Sequence, residues 1–215
     1  EIMPSLVGSE MCIRDRLYAA TLINDNARKE AIYKKTVELY PNDFRAYNNL
    51  GMMAYANGDL ATAENYFKQA ASKNANAAEV NTNLGLIELT KGNVANAETY
   101  LSKSTGANTA NEALGNLYIK QGQYDRAVQA FGDTKTNSAA LAQILAKDYN
   151  KAKSTLSAVK NPDAYTNYLM AVVGARTNNA DLVKSSMDKV KQQDAALAAK
   201  AQNDREFAKY ANEVK

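Results

Sequence analysis

Hydrophobic and small residues recur along this chain with the period of a helix and then stop at a glycine, three times over. Leu50-Gly51, Leu84-Gly85 and Leu114-Gly115 each open the same series. A second glycine follows seven residues after the first, at Gly58, Gly92 and Gly122. An alanine comes five residues later, at Ala63, Ala97 and Ala127, and a bulky apolar residue four beyond that, at Phe67, Leu101 and Phe131. Each copy predicts a pair of antiparallel helices. Leu50, Ala54 and Asn57 follow at helical intervals, and Gly58 ends the helix because glycine takes the left-handed conformation that closes a C-terminus. Asp59 is placed to cap the next helix. That helix carries Ala63, Phe67 and Ala70 on one face, at i, i+4 and i+7. The small residues Gly51, Ala63 and Ala70 let two backbones approach, and Leu50 and Phe67 fill the space between.

An internal repeat of about this length outranks any single residue as evidence. The pattern resembles the tetratricopeptide repeat, which reads aromatic, Leu-Gly, aromatic, then Ala, Phe, Ala and Pro over 34 residues. LGNLYIKQGQYDRAVQAF, from Leu114, matches most fully, and YNNLGMMAYANGDLATAENYFKQA adds the leading aromatic Tyr47. The resemblance implies an all-α fold: a right-handed superhelical stack of antiparallel helix pairs, ending in a C-terminal capping helix. Counted from six residues before each Leu, the repeats begin at Phe44, Ala78 and Asn108, with steps of 34 and then 30 residues. The shortening falls around Ser104, Thr105 and Gly106. The repeat's closing proline is absent from these three, with Ala75 in its place in the first; Pro41 fills that role for an earlier unit.

The expected organisation is therefore a truncated unit over 17–43, repeats over 44–77, 78–107 and 108–137, degenerate pairs over 138–160 and 161–193, and a charged, alanine-rich cap over 194–215. In the first degenerate pair Tyr149, Ala152 and Leu156 keep the register without a Leu-Gly. In the second, Pro162 is placed to start a helix at its first turn. A terminal cap is what a stack needs to cover its last apolar face.

Residues 1–16 break this texture. Ser5–Arg16, SLVGSEMCIRDR, resembles the translation of a sequencing adaptor, and the same frame accounts for Glu1 to Pro4. The segment is read as non-native, so its removal is expected to cost almost nothing, although part of it can be drawn helical in place of a missing helix. Without it the only cysteine, Cys12, disappears, and the net charge moves from +3 to +4. That balance is too mild and too dispersed for a nucleic-acid partner. No apolar run approaches the roughly 20 residues of a membrane span.

The chain has no His and no Trp. A Ser-His-Asp triad, a Cys nucleophile outside the first sixteen residues and an ordinary zinc site are excluded. Glu79, Glu88, Glu98 and Glu112 are the carboxylates by type for a glycosidase pair, but the register turns Glu88 and Glu98 outward to solvent. No enzyme, cofactor or metal is expected.

In the family that the repeats resemble, the first helix of each pair lines a concave face, and positions 2, 5, 9, 12 and 13 point into it. Carried over, the first repeat contributes Arg45, Asn48, Met52, Tyr55 and Ala56. The second contributes Glu79, Thr82, Leu86, Leu89 and Thr90. The third contributes Thr109, Glu112, Asn116, Ile119 and Lys120, and the late pair Tyr165, Tyr168, Val172 and Arg176. This mixed surface suits a peptide or protein segment. The family's carboxylate clamp needs Lys at position 5 and Asn at position 9 of its first repeat, where this chain has Asn48 and Met52. The expected function is a non-enzymatic interaction scaffold. The alternative is a glycan- or nutrient-binding module using Tyr55, Tyr165 and Tyr168 as a stacking platform. The Ala-Asn-rich repeats and the closing AKAQNDREFAKY resemble C-terminal repeat regions of Bacteroidota envelope proteins, which implies a bacterial cell-envelope location.

Overall fold

The computed structural model describes residues 10–104 and 107–214, with residues 10–12 described by backbone alone. Residues 1–9, Thr105 and Gly106 therefore lie outside the described part, including the point where the repeat spacing shortens. Among the described residues the chain is helical throughout, in thirteen α-helices and one closing 3-10 segment. They form two compact units, Glu1–Ala110 and Asn111–Lys215.

The first unit holds α1 (Glu10–Thr21), α2 (Asn26–Leu39), α3 (Phe44–Ala56), α4 (Leu60–Lys73), α5 (Ala78–Thr90) and α6 (Val94–Ser102). Helices α3, α5 and α7 (Asn108–Lys120) start at the residues that the repeat register names. The Asp59 side chain accepts a hydrogen bond from the N–H of Thr62, as expected for a cap, and Asp43 caps α3 in the same way by accepting from Arg45. The core of this unit is two clusters. Ile13, Leu17, Ala20, Tyr33, Ala46 and Leu50 form one. Tyr47, Ala63, Phe67, Ala70, Val80, Leu84 and Ile87 are the centre of the other. Ile13, in the segment read as non-native, is buried in one cluster with Tyr33 of α2 and with Ala46 and Leu50 of α3.

The second unit continues with α8 (Tyr124–Phe131), α9 (Asn137–Leu145), α10 (Tyr149–Ser157), α11 (Ala164–Arg176), α12 (Ala180–Gln193) and α13 (Ala195–Ala201). The 3-10 segment Arg205–Tyr210 follows. The expected single capping helix is thus a short helix and an irregular segment. Phe207 and Tyr210 of that segment, and Val214 after it, are buried in one cluster with Leu169, Val173, Met187 and Val190.

The two glycines of each repeat serve different ends. A Cβ at Gly51, Gly85 or Gly115 would stand 2.6 Å from Phe67, 2.6 Å from Leu101 or 2.5 Å from Phe131, so these glycines let the second helix lay its bulky residue on the first. Gly58, Gly92 and Gly122 meet nothing within 4 Å, but have φ of 80°, 79° and 72°. The degenerate pairs keep the same turn without glycine: Lys147 has φ 65° and Asn178 φ 54°. In all five turns the next residue donates its N–H to the carbonyl five back, as in Asp59 to Ala54 at 3.0 Å and Asp148 to Gln143 at 2.8 Å. The left-handed conformation costs a residue with a Cβ about 1–2 kcal/mol. A new glycine returns about 0.5–1 kcal/mol to the unfolded chain. Lys147→Gly should therefore stabilise the chain by about 0.5–1 kcal/mol, raising the melting temperature by about 2 °C in a thermal scan. An unchanged or lower melting temperature would contradict the shared turn.

Candidate functional site

On α3 the expected ligand-facing positions divide. Met52 is 46% exposed and Tyr55 37% exposed, so both hold apolar area in solvent. Asn48, by contrast, is only 8% exposed, and its Oδ1 accepts a hydrogen bond from Asn83 Nδ2 of α5 at 2.8 Å. It is an internal link between neighbouring repeats. Arg45 turns back on its own helix start, where its Nε donates to Asp43 Oδ1 at 3.0 Å and its Nη2 to Oδ2 at 2.5 Å. Burial alone would raise the Asp43 carboxyl; the hydrogen bonds and charge of Arg45 outweigh it and hold that carboxyl below the ordinary range.

On α5, Thr82 is buried and its hydroxyl donates to the Ala78 carbonyl at 2.8 Å, which withdraws it from any ligand. Glu79 is exposed and Leu86 half-buried. In the second unit, Asn116 and Lys120 are exposed on α7 and Glu112 is half-buried. Tyr165 is 40% exposed on α11, with its ring stacked on Tyr168 at 6.0 Å between centroids. Tyr168 and Arg176 are already engaged: the Tyr168 hydroxyl donates to Asp204, and the Arg176 guanidinium forks onto Glu206. Burial, and then the Asp204 carboxylate, push the Tyr168 phenol up.

Glu88 corrects the sequence reading. Expected outward, it is 7% exposed, and its carboxylate accepts from Asn93 at 2.9 Å, Asn96 at 3.2 Å and Lys91 at 3.3 Å. Lys91 also reaches Glu64 of the preceding repeat at 2.6 Å. Desolvation would raise the Glu88 carboxyl, but the three donors outweigh it and hold it low. This network ties one pair to the next. Among the described residues no group of acidic, His or Cys side chains is arranged to hold a metal ion, and no helix is long and apolar enough to cross a membrane.

The residues that sequence reasoning missed are Asn83, Asp204, Glu206 and Phe207. Asn83 lies one position beyond Thr82 in the repeat. The other three sit in a segment without repeat register, where only the alternation of two carboxylates followed by an aromatic marks them out.

Family models described as tetratricopeptide repeat match residues 32–65, 54–112 and 111–135. No curated protein matches significantly. Among solved structures, pilF of Pseudomonas aeruginosa aligns with TM-score 0.73 at 12% identity, over 95% of this chain and 98% of that one. PilW, described as a widely conserved type IV pilus biogenesis factor, aligns with TM-score 0.64 at 18% identity, over 94% and 99%. YrrB, described as a TPR protein with an unusual peptide-binding site, aligns with TM-score 0.62 at 19% identity, over 79% and 97%. At these identities the likeness is one of fold. With the three matched segments, the packing of Gly51 on Phe67, Gly85 on Leu101 and Gly115 on Phe131, and the shared turn, residues 32–135 are similar to the tetratricopeptide repeat in sequence and in fold.

Proposed function

We propose that the chain is a non-enzymatic scaffold that holds a peptide or protein segment against the first helices of its pairs, with Met52 and Tyr55 as principal contacts in the first unit. The observation that carries this reading is the contrast along α3: Met52 and Tyr55 stay in solvent while Asn48 of the same helix is drawn inside. Helix α3 is held rigidly from behind by Phe67, so a ligand would meet preorganised side chains. YrrB, whose description names a peptide-binding site, supports the class of ligand. The absence of His from the sequence supports a non-catalytic role.

Peptides selected from a random library against the full chain test the reading. Met52→Ala and Tyr55→Ala should each weaken the selected peptides about tenfold, the size of an interface contact worth more than about 1 kcal/mol. Lys68→Ala, on the solvent side of α4, should leave them unchanged. Peptides that bind all three variants equally would move recognition off α3. A glycan platform is less well supported, because Tyr168 is half-buried and its hydroxyl is committed to Asp204. The envelope location belongs to the same proposal: PilW, a pilus biogenesis factor by its description, is in keeping with it, and fractionation of the source cells tests it. The adaptor origin of residues 1–16 is likewise proposed, and the genomic reading frame upstream of Leu17 tests it.

A further inference from the structure

The C-terminal segment lies on positions that the repeat register reserves for a ligand. On α11 these include Tyr168 and Arg176. Asp204 accepts the Tyr168 hydroxyl, Glu206 Oε2 accepts Arg176 Nη2 at 2.8 Å, and Phe207 stands edge-on to the Tyr168 ring at 5.7 Å between centroids. The chain returns to α11 from 30 or more residues away to make these contacts. An end cap needs only apolar residues inside and polar ones outside; here the polar residues are aimed at two donors on the helix.

We propose that the α11 face is a recognition site for acidic–aromatic segments of the pattern Asp-x-Glu-Phe, filled at rest by the chain's own Asp204–Phe207, and that a partner segment with this pattern exchanges with it. The face supplies a hydroxyl donor, a planar guanidinium fork for a carboxylate and an aromatic wall. Tyr165, stacked on Tyr168 and 40% exposed, extends that wall beyond the resident segment and gives an incoming segment a first foothold. Two features make exchange feasible. The resident segment is a 3-10 turn, whose hydrogen-bond geometry is poorer than that of an α-helix. Its ion pair is half solvent-exposed on the arginine side, and such pairs are weak. Phe207, Tyr210 and Val214 hold the segment down in the absence of a partner. Being covalently attached, it competes at an effective concentration on the order of millimolar, so only a tighter segment displaces it. The inference rests on the same assignment of ligand-facing positions as the proposed function, but concerns a different helix, so the two fail separately.

The test uses the full chain and a fluorescein-labelled peptide copying residues 202–214. Asp204→Asn with Glu206→Gln weakens the resident segment without altering α11. This variant should bind the peptide about tenfold tighter than the unaltered chain, as expected when the competent fraction rises tenfold. Adding Arg176→Gln should abolish the gain. Equal affinity of the two chains, or a gain that survives Arg176→Gln, overturns the proposal. Hydrogen exchange on the unaltered chain gives a second reading that needs no variant. Amides of residues 204–214 should exchange about tenfold or more faster than those of α11 and α12. Equal protection would mean that the segment leaves only when the unit unfolds, and would also overturn it.

Discussion

Phe67→Ala should cost about 3–5 kcal/mol, the largest loss expected from any single change in the first unit. The Phe67 side chain is fully buried on α4 and lies across Gly51 of α3, in the cluster that also contains Val80, Leu84 and Ile87 of α5. One ring therefore joins a pair internally and to its neighbour. Its removal leaves a cavity between packed helices, which relax only partially around it. Gly51→Ala approaches the same contact from the other side. Alanine gains about 1 kcal/mol of helix propensity. Its Cβ would stand 2.6 Å from the ring, and overpacking a buried contact costs about 1–3 kcal/mol. The net expectation is a moderate loss. In the double variant the added methyl enters space vacated by the ring, so the combined cost should fall short of the two single costs by about 0.5 kcal/mol or more. Urea unfolding followed by circular dichroism measures all three variants. Additive losses would show that the ring does not rest on Gly51.

Ala127→Leu should destabilise the second unit by about 1–3 kcal/mol, while Lys120→Ala in the same repeat stays within about 0.5 kcal/mol of the unaltered chain. Ala127 is fully buried on α8, as are Ala63, Ala97 and Ala152 at the matching position of their pairs. The last pair shows what a larger side chain requires there. Val183 occupies the position on α12, and Gly174 of α11 lies opposite, where a Cβ would come within 2.9 Å of the Val183 backbone nitrogen. The matching residue opposite Ala127 is Tyr118, itself buried, so no such room exists. Lys120 is exposed at the end of α7. Comparable losses at the two positions, measured by the same unfolding curves, would reject the repeat register.

The helix pairs, their starts at Phe44, Ala78 and Asn108 and their glycine turns were legible from the sequence, because each rests on residues within one 34-residue unit and recurs three times. Even the turns at Lys147 and Asn178 follow from counting along that unit, although lysine, unlike asparagine, does not favour the conformation. Polar residues at the margins of the apolar stripe were not legible in the same way. A helical period assigns a face to within about 100°, and Asn48, Thr82 and Glu88 lie at its edge. Whether such a side chain points to solvent or inward depends on which donors come within reach: Asn83 of α5 for Asn48, and, for Glu88, Lys91 and Asn93 of the following turn and Asn96 of α6. The C-terminal segment lay further still from reach, since it occurs once and carries no period. By itself the sequence determined the repeating backbone, through local sterics and the apolar stripe. Only the tertiary structure decided which of the expected ligand positions remain open, because hydrogen bonds and ion pairs between elements distant in sequence withdrew Asn48, Tyr168 and Arg176 and left Met52, Tyr55 and Tyr165 in solvent.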